Sequence, residues 1–462
     1  MLLINLPKYP KKMMLRLIVK CGLFMTVLIL IGSCKPPVDK SEFYKAAQDS
    51  EYFYEALEQL TDVIVHDIFS PPVASRVYSY PCIAAHETII QRNNTAASLA
   101  HQLNGLTAIT STLYTTDVIF EIASIVAFYD VSKALIFSED RILDAKARYL
   151  NELDSIGVPK RVANASEAYG SMVADHILEW ADKDNYKETR SYPKYSLDDD
   201  PSRWQPTPPA YMEGIEPHWN AIRTMVLDSA SQYKIAPPPK FDLAKGTEFR
   251  ARTDEVYNTV LNITDEEREI ASFWDCNPFV MNQTGHMMFA TKKITPGGHW
   301  MGISNIASET AKLDLGSSIK VSTYVSLALF DAFISCWDEK YRSSLVRPET
   351  IINEHIDESW TPVLQTPPFP EHTSGHSVIS TSAATVLTAM FGDSFKYRDD
   401  VELKYGLPVR NFGSFKEAAE EAAISRLYGG IHYMPAITEG QIQGEKVGSH
   451  LVRDLDIKLI SK

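Results

Sequence analysis

The chain has 462 residues, of which 45% are hydrophobic, 23% charged and 10% aromatic, and its formal net charge is -14. This is ordinary globular composition and excludes disordered, collagen-like and coiled-coil chains. A nucleic-acid binder needs an excess of Lys and Arg that this sequence lacks, so any anion must be held by a local cluster of cations.

At the start of the chain Lys8, Lys11, Lys12, Arg16 and Lys20 lead into an uncharged apolar run over 21–31. Roughly eleven residues are too few to cross a bilayer as a helix and match a signal-peptide core. The run closes on Ile31-Gly32-Ser33-Cys34. Small residues before a Cys resemble a bacterial lipobox, so residues 1–34 are expected to be a lipoprotein signal peptide with Cys34 lipidated; the alternative is plain secretion. No second apolar run reads as a membrane span, which predicts a soluble body tethered outside the cytoplasm, periplasmic or at the cell surface. Cys82, Cys276 and Cys336 are scattered without a C-x-x-C pair. Their spacing indicates neither a zinc site nor a disulfide framework and is that of buried small hydrophobes.

Apolar residues then recur at helical spacing almost throughout. Phe53, Leu57, Leu60, Ile64 and Ile68 form one stripe, and Tyr169, Val173, Ile177 and Trp180 a second. Leu327, Phe330, Ile334 and Trp337 form a third, and Ile379, Ala383, Val386 and Met390 a fourth. The predicted fold is all-α, with each stripe facing the core of a helical bundle. Between Tyr192 and Lys240 the pattern breaks on Asp198-Asp199-Asp200-Pro201, Pro206-Thr207-Pro208-Pro209 and Pro237-Pro238-Pro239. Such prolines cannot sit inside helices. The expected organisation is a helical half over 35–190, proline-rich connecting loops over 191–245 and a second helical half over 246–462. A further break, Ile294-Thr295-Pro296-Gly297-Gly298-His299-Trp300, reads as an active-site loop.

The chemistry concentrates in the second half. Lys340 is followed by Arg347-Pro348; then come Pro370-Glu371-His372-Thr373-Ser374-Gly375-His376, and Ser425-Arg426 ahead of His432. Singly each is a weak signal, since Lys and Arg usually form a solvated face and a lone His is usually a satisfied polar group. Together they predict an oxyanion pocket. Lys340 and Arg347, seven apart, can share a helical face or its fraying end. Ser374-Gly375-His376 stands directly before the fourth stripe, placing a hydroxyl and free backbone N–H groups at a helix N-terminus. Gly375 permits close backbone approach. Arg426 adds a planar fork of donors. His376 and His432 remain for ligation and proton transfer.

The order Lys-x6-Arg-Pro, Ser-Gly-His, Ser-Arg-x5-His resembles the superfamily that joins type 2 phosphatidic acid phosphatases with vanadium-dependent haloperoxidases. The motif resemblance spans about residues 337 to 445, and its spacing is most similar to bacterial iodide-preferring haloperoxidases of marine Bacteroidetes. The resemblance implies a vanadium haloperoxidase-like helical fold with one vanadate per chain. Lys340, Arg347, Ser374, Gly375 and Arg426 would bind the vanadate oxygens, and His432 would be the axial vanadium ligand or, in a phosphatase, the phosphorylated nucleophile. His376 would be the acid/base that handles peroxide, with Lys340 contributing to catalysis. Trp337 and Phe369 are similar to the halide-side aromatics of haloperoxidases, though ordinary core packing accounts for them equally. The implied partners are hydrogen peroxide, a halide and small organic acceptors, with a homodimer as the commonest assembly.

The sequence also departs from the family. Thr373 stands where Pro usually precedes Ser-Gly-His, and Ala436 stands where many members carry an Asp that orients the imidazole. The partner of His432 is therefore open, with Asp338 and Glu339 as carboxylates able to reach His376 or an Arg. Trp274-Asp275, Phe279, His286 and His299-Trp300 suggest a pocket wall, while His66 and His86 read as structural. His372 and His376 have a spacing that could suit zinc, but the turn at Gly375 spoils it. Two rivals stay open: an extracytoplasmic acid phosphatase using a phosphohistidine, and a lipid-anchored binding protein with a relic site.

Overall fold

A computed structural model describes residues 40–92, 98–110, 115–278, 280–284 and 287–460. Cys34, Phe279 and His286 lie outside the described residues. The first half comprises α1 (Lys40–Ala47), α2 (Glu51–His66), α3 (Pro71–Ile89), α4 (Phe120–Leu135), α5 (Glu139–Ser155), α6 (Lys160–Ala181) and the single turn α7 (Tyr186–Thr189). After the proline-rich stretch come α8 (Glu248–Leu261), α9 (Asp265–Phe273), β1 (Val280–Thr284), β2 (Met287–Thr291), α10 (Pro296–Ala311) and α11 (Leu315–Ser343). The chain ends through α12 (Pro348–His355), α13 (Gly375–Phe391), β3 (Tyr397–Asp399), β4 (Arg410–Phe412), α14 (Phe415–Tyr428) and α15 (Met434–Asp454). The strands form two small antiparallel pairs, β1 with β2 and β3 with β4. The fold is thus mostly helical, and strands this short leave no period-two signal to read.

Side-chain caps define several helix starts. Thr264 and Glu267 form a reciprocal capping box on α9. The hydroxyl of Ser374 accepts from the Ser377 N–H at 3.3 Å and begins α13. Thr295 does the same for Gly298, at 3.1 Å. The Pro-Gly-Gly break at 296–298 is therefore a helix start and not a loop: Pro296 suits the first helical turn, where its missing N–H costs nothing. Gly298 is needed for packing, because a Cβ there would stand 2.8 Å from the Tyr78 hydroxyl.

The predicted stripes are buried, except that Ile68 falls beyond the end of α2 with φ at 55°. One continuous apolar core runs from Phe53 and Phe128 in the first half to Phe330, Val386 and Leu451 in the second. At its centre lies α11, which packs on α3, α10, α13 and α15. By length and composition this helix could cross a membrane, which the sequence reading did not anticipate. Its most apolar window is 94% buried within the fold, so it is a core helix. Helices α13 and α15 approach closely because Gly440, Gly444 and Gly448 recur at a spacing of four. A Cβ at 444 would lie 2.2 Å from the Val378 carbonyl oxygen.

The segment 191–245 contains a single 3-10 turn (Trp219–Ala221) and no α-helix. Its backbone is held by the second half. The buried carboxylate of Asp331, on α11, accepts the N–H groups of Met225, Val226 and Leu227 at 2.6, 2.8 and 3.0 Å. The Trp204 N–H donates to Ser344 O, and Ile215 N–H to Pro368 O. A loop this long can be buried only because its polar groups find such partners.

Candidate active site

Lys340 and Arg347 are not on one helical face. The chain leaves α11 at Ser344, which is left-handed (φ 49°), and Arg347 is the N-cap of α12. The turn points both cations at the same buried place. Lys340 donates to the carbonyls of Pro370 and Glu371 at 2.9 and 3.1 Å. Arg347 donates from Nε to Phe369 O (2.9 Å) and from Nη1 to Ile431 O (2.8 Å). Its Nη2 is buried with no partner. Arg426, near the end of α14, donates from Nη2 to Trp274 O at 2.6 Å and from Nε to Ser425 Oγ at 2.9 Å.

His432 precedes α15, and Arg347 Nη1 lies 3.2 Å from its Nε2. Its Nδ1 is 2.8 Å from Glu371 Oε1, which also accepts the Tyr433 N–H at 2.9 Å. A carboxylate acceptor on Nδ1 places the proton there and leaves Nε2 unprotonated, an acceptor for Arg347 Nη1 and a ligand for an electrophile or metal that displaces it. Glu371 is thus the partner that the sequence left open. It stands inside the quoted motif, yet no spacing rule links it to an imidazole 61 positions away. Of the two alternatives for Asp338 and Glu339, the structure shows the Arg: both pair with Arg342.

Ser374, Gly375 and His376 open α13. The Ser374 N–H is taken by Ala436 O, so the anion donors at this end are the N–H groups of Gly375 and His376, which have no intrahelical acceptor. His376 is held by a hydrogen bond to the Trp274 backbone, while its Nε2 is buried and unpartnered. Trp337, Phe369, Gly375, His376, Arg426 and His432 line one cavity, with Asp275, Cys276 and Pro296 among the other wall residues. Lys340, Arg347 and Ser374 stand just behind them. Trp337 and Phe369 face each other with centroids 5.0 Å apart, and Lys340 Nζ lies 5.0 Å from the Phe369 ring.

Electrostatically the pocket is short of negative charge. Burial lowers Lys340 to about 7 and Arg347 to about 10, and also lowers Arg426. Burial, then the neighbouring cations, hold His432 well below its usual range, and the same holds for His376 beside Arg426. Glu371 faces Lys340 and Arg347, and burial raises it to about 7, while Asp275 in the cavity wall acts on Arg426. A bound oxyanion would reverse the penalty on every cation.

Of the weaker candidates, Asp275 lines the cavity and is paired with Lys293, whereas Trp274 is not in the wall and meets the site through its carbonyl, which accepts from Arg426. His299 stacks on Trp274 in a layer behind, and Trp300 donates to Ser380 Oγ at 2.8 Å. His372 points away to Ala236 O at 3.2 Å, so it does not pair with His376. His66 approaches Lys292 at the surface.

The family model of the VCPO second helical-bundle domain matches residues 320–457, a span that holds all the motif residues. Among solved structures, the first bacterial vanadium-dependent iodoperoxidase is 51% identical, with a TM-score of 0.84, covering 89% of this chain and 98% of that one. The chain belongs to the vanadium-dependent haloperoxidases. Apo- and holo-type bacterial vanadium-dependent chloroperoxidases share the fold at 16% and 15% identity, with TM-scores of 0.64 and 0.63, each covering 84% of this chain. No curated protein matches it. The pocket of this haloperoxidase fits vanadate. Arg347 Nη2 is a buried donor without an acceptor, His432 Nε2 carries no proton and meets only Arg347 Nη1, and two helix N–H groups complete an oxyanion cradle.

Proposed function

We propose that this chain oxidises halide, iodide foremost, with hydrogen peroxide, releasing hypohalous acid that halogenates small organic acceptors. In balance, a halide ion, peroxide and a proton yield hypohalous acid and water. The observation that carries the reading is the convergence of Arg347 and Glu371 on opposite nitrogens of His432 within a cavity also lined by His376 and Arg426. Vanadate, when bound, supplies a Lewis-acidic centre that activates peroxide without changing oxidation state. His432 Nε2 would ligate it; Lys340, Arg347, Arg426 and the N–H groups of Gly375 and His376 would hold its oxygens. His376 Nε2, which has no other partner, would accept and return the proton of peroxide. Trp337 and Phe369 exclude water beside the cationic groups and suit a large, weakly hydrated anion. The likeness to an iodoperoxidase supports iodide over bromide.

The missing carboxylate at Ala436 does not speak against a phosphatase, because Glu371 fills that place. The comparisons favour the haloperoxidase. The test is to load purified protein with vanadate and follow peroxide-dependent oxidation of iodide and bromide, with phosphate-monoester hydrolysis by the vanadate-free protein alongside. Halide oxidation without hydrolysis is expected. His432→Ala should lose vanadium, whereas His376→Ala should retain vanadium and lose about a hundredfold or more in turnover. Full halide oxidation by His432→Ala would remove the assigned ligand.

We further propose that Cys34 is lipidated and anchors the enzyme outside the cytoplasm, on the basic and apolar pattern ahead of it. Cys34→Ser should move the protein from the membrane to the soluble fraction; an unchanged distribution would count against the anchor.

A further inference from the structure

Starting from Cys276 in the pocket wall and reaching behind it, three side chains from separate segments turn their ligand atoms toward one another. Cys276 follows α9, His299 lies in the first turn of α10, and Glu402 comes shortly after β3; all three are buried. Cys276 Sγ stands 3.6 Å from His299 Nδ1 and 3.6 Å from Glu402 Oε1, and that oxygen is 3.1 Å from Nδ1. A tetrahedral zinc ion with bonds of about 2.3 Å to sulfur and about 2.05 Å to nitrogen and oxygen separates such ligands by about 3.6 Å along the sulfur edges and about 3.3 Å along the third. The observed triangle has nearly those edges.

The surroundings fit as well. His299 Nε2 is 2.9 Å from Asp399 Oδ2, so the imidazole is oriented from its far side with Nδ1 turned to the other two atoms. A carboxylate on the non-ligating nitrogen is how metal-bound imidazoles are commonly held. Trp274 stacks on the ring with centroids 4.6 Å apart and an interplanar angle of 22°, which fixes its plane.

We propose that Cys276, His299 and Glu402 bind a zinc ion as thiolate, neutral imidazole and carboxylate, with Asp399 positioning His299 and water as fourth ligand. Binding displaces two protons to solvent, that of the thiol and the one the metal-free imidazolium holds on Nδ1, and the thiolate and carboxylate offset the two charges of the ion. The ion braces 274–276, the segment whose Trp274 carbonyl holds Arg426 and whose backbone holds His376. It would thereby stiffen the proton-transfer side of the pocket without touching substrate.

The experiment uses the purified, vanadate-free chain. After exposure to zinc chloride and gel filtration, elemental analysis should find one zinc per chain. A cobalt derivative should show thiolate-to-cobalt charge-transfer absorption. Cys276→Ser should abolish that band, Glu402→Gln should lose retained zinc, and Asp399→Asn should weaken zinc affinity by about tenfold or more. The wild-type cobalt spectrum stands even if a variant fails to fold. Absence of retained metal, a cobalt spectrum without the thiolate band, or undiminished zinc in both the Cys276 and Glu402 variants would overturn the site. The cluster would then be an imidazolium shared by two carboxylates. Halide oxidation is not read, so this outcome leaves the proposed function untouched.

Discussion

At His432 the residue type offers two nitrogens, and the neighbours decide between them. Glu371 accepts the hydrogen bond of Nδ1–H, so the unprotonated Nε2 is the nitrogen left for the cavity. Glu371→Gln keeps an acceptor but removes the charge that makes the imidazole a strong donor. Its vanadate affinity should fall about 10- to 100-fold while the fold is kept, as equilibrium dialysis can measure. Lys340 permits a test by pH. Burial lowers its pKa from 10.5 to about 7, so in the vanadate-free protein the folded state sheds this proton before the unfolded chain does. Stability from this group is therefore least below pH 7 and rises between about pH 7 and 10.5. Oxyanion binding needs the charged form, so vanadate affinity should fall over the same range, by up to about tenfold per pH unit. Both slopes should shrink in Lys340→Gln when the two proteins are compared directly. Identical profiles would show that Lys340 carries no charge in the pocket.

Helices and loops set where these residues can go. The Ser-Gly-His start of α13 was legible because a capping Ser and a following apolar stripe are local features. The Pro-Gly-Gly break has the composition of a loop, yet the same residues begin α10 because Thr295 caps it and Tyr78 packs over Gly298. The close contact of α13 and α15 predicts that Gly444→Ala will destabilise the protein. The new Cβ would meet the Val378 backbone oxygen, which cannot move aside, at a cost of about 1–3 kcal/mol. Chemical denaturation would measure it, and unchanged stability would show that the helices can separate freely. Asp331 is the pin of the proline-rich segment. Asp331→Ala leaves three N–H groups without their acceptor and should cost about 3 kcal/mol or more. Trp337 should then become more accessible to a fluorescence quencher, because the same segment supplies Ile215 O to its indole N–H at 3.2 Å.

Across the whole molecule one apolar core joins the two helical halves, with α11 buried between them. Phe330→Ala, at a fully buried position on α11, should cost about 3–5 kcal/mol and shift a single thermal transition. Two separated transitions would show that the halves unfold independently. Helical periodicity, the proline interruption and the ordered Lys, Arg, Ser-Gly-His and Arg-His motifs are local patterns, and from them the chain alone determined a helical fold and the family. Local pattern carries no information about partners far apart in the chain. The pairing of Glu371 with His432, the proline-rich segment pinned by Asp331, and the meeting of Cys276, His299 and Glu402 were therefore decided only by tertiary packing. Burial decided the electrostatics too, since desolvation, which no sequence pattern records, pushes Lys340 and Arg347 toward neutrality and makes the pocket receptive to an anion.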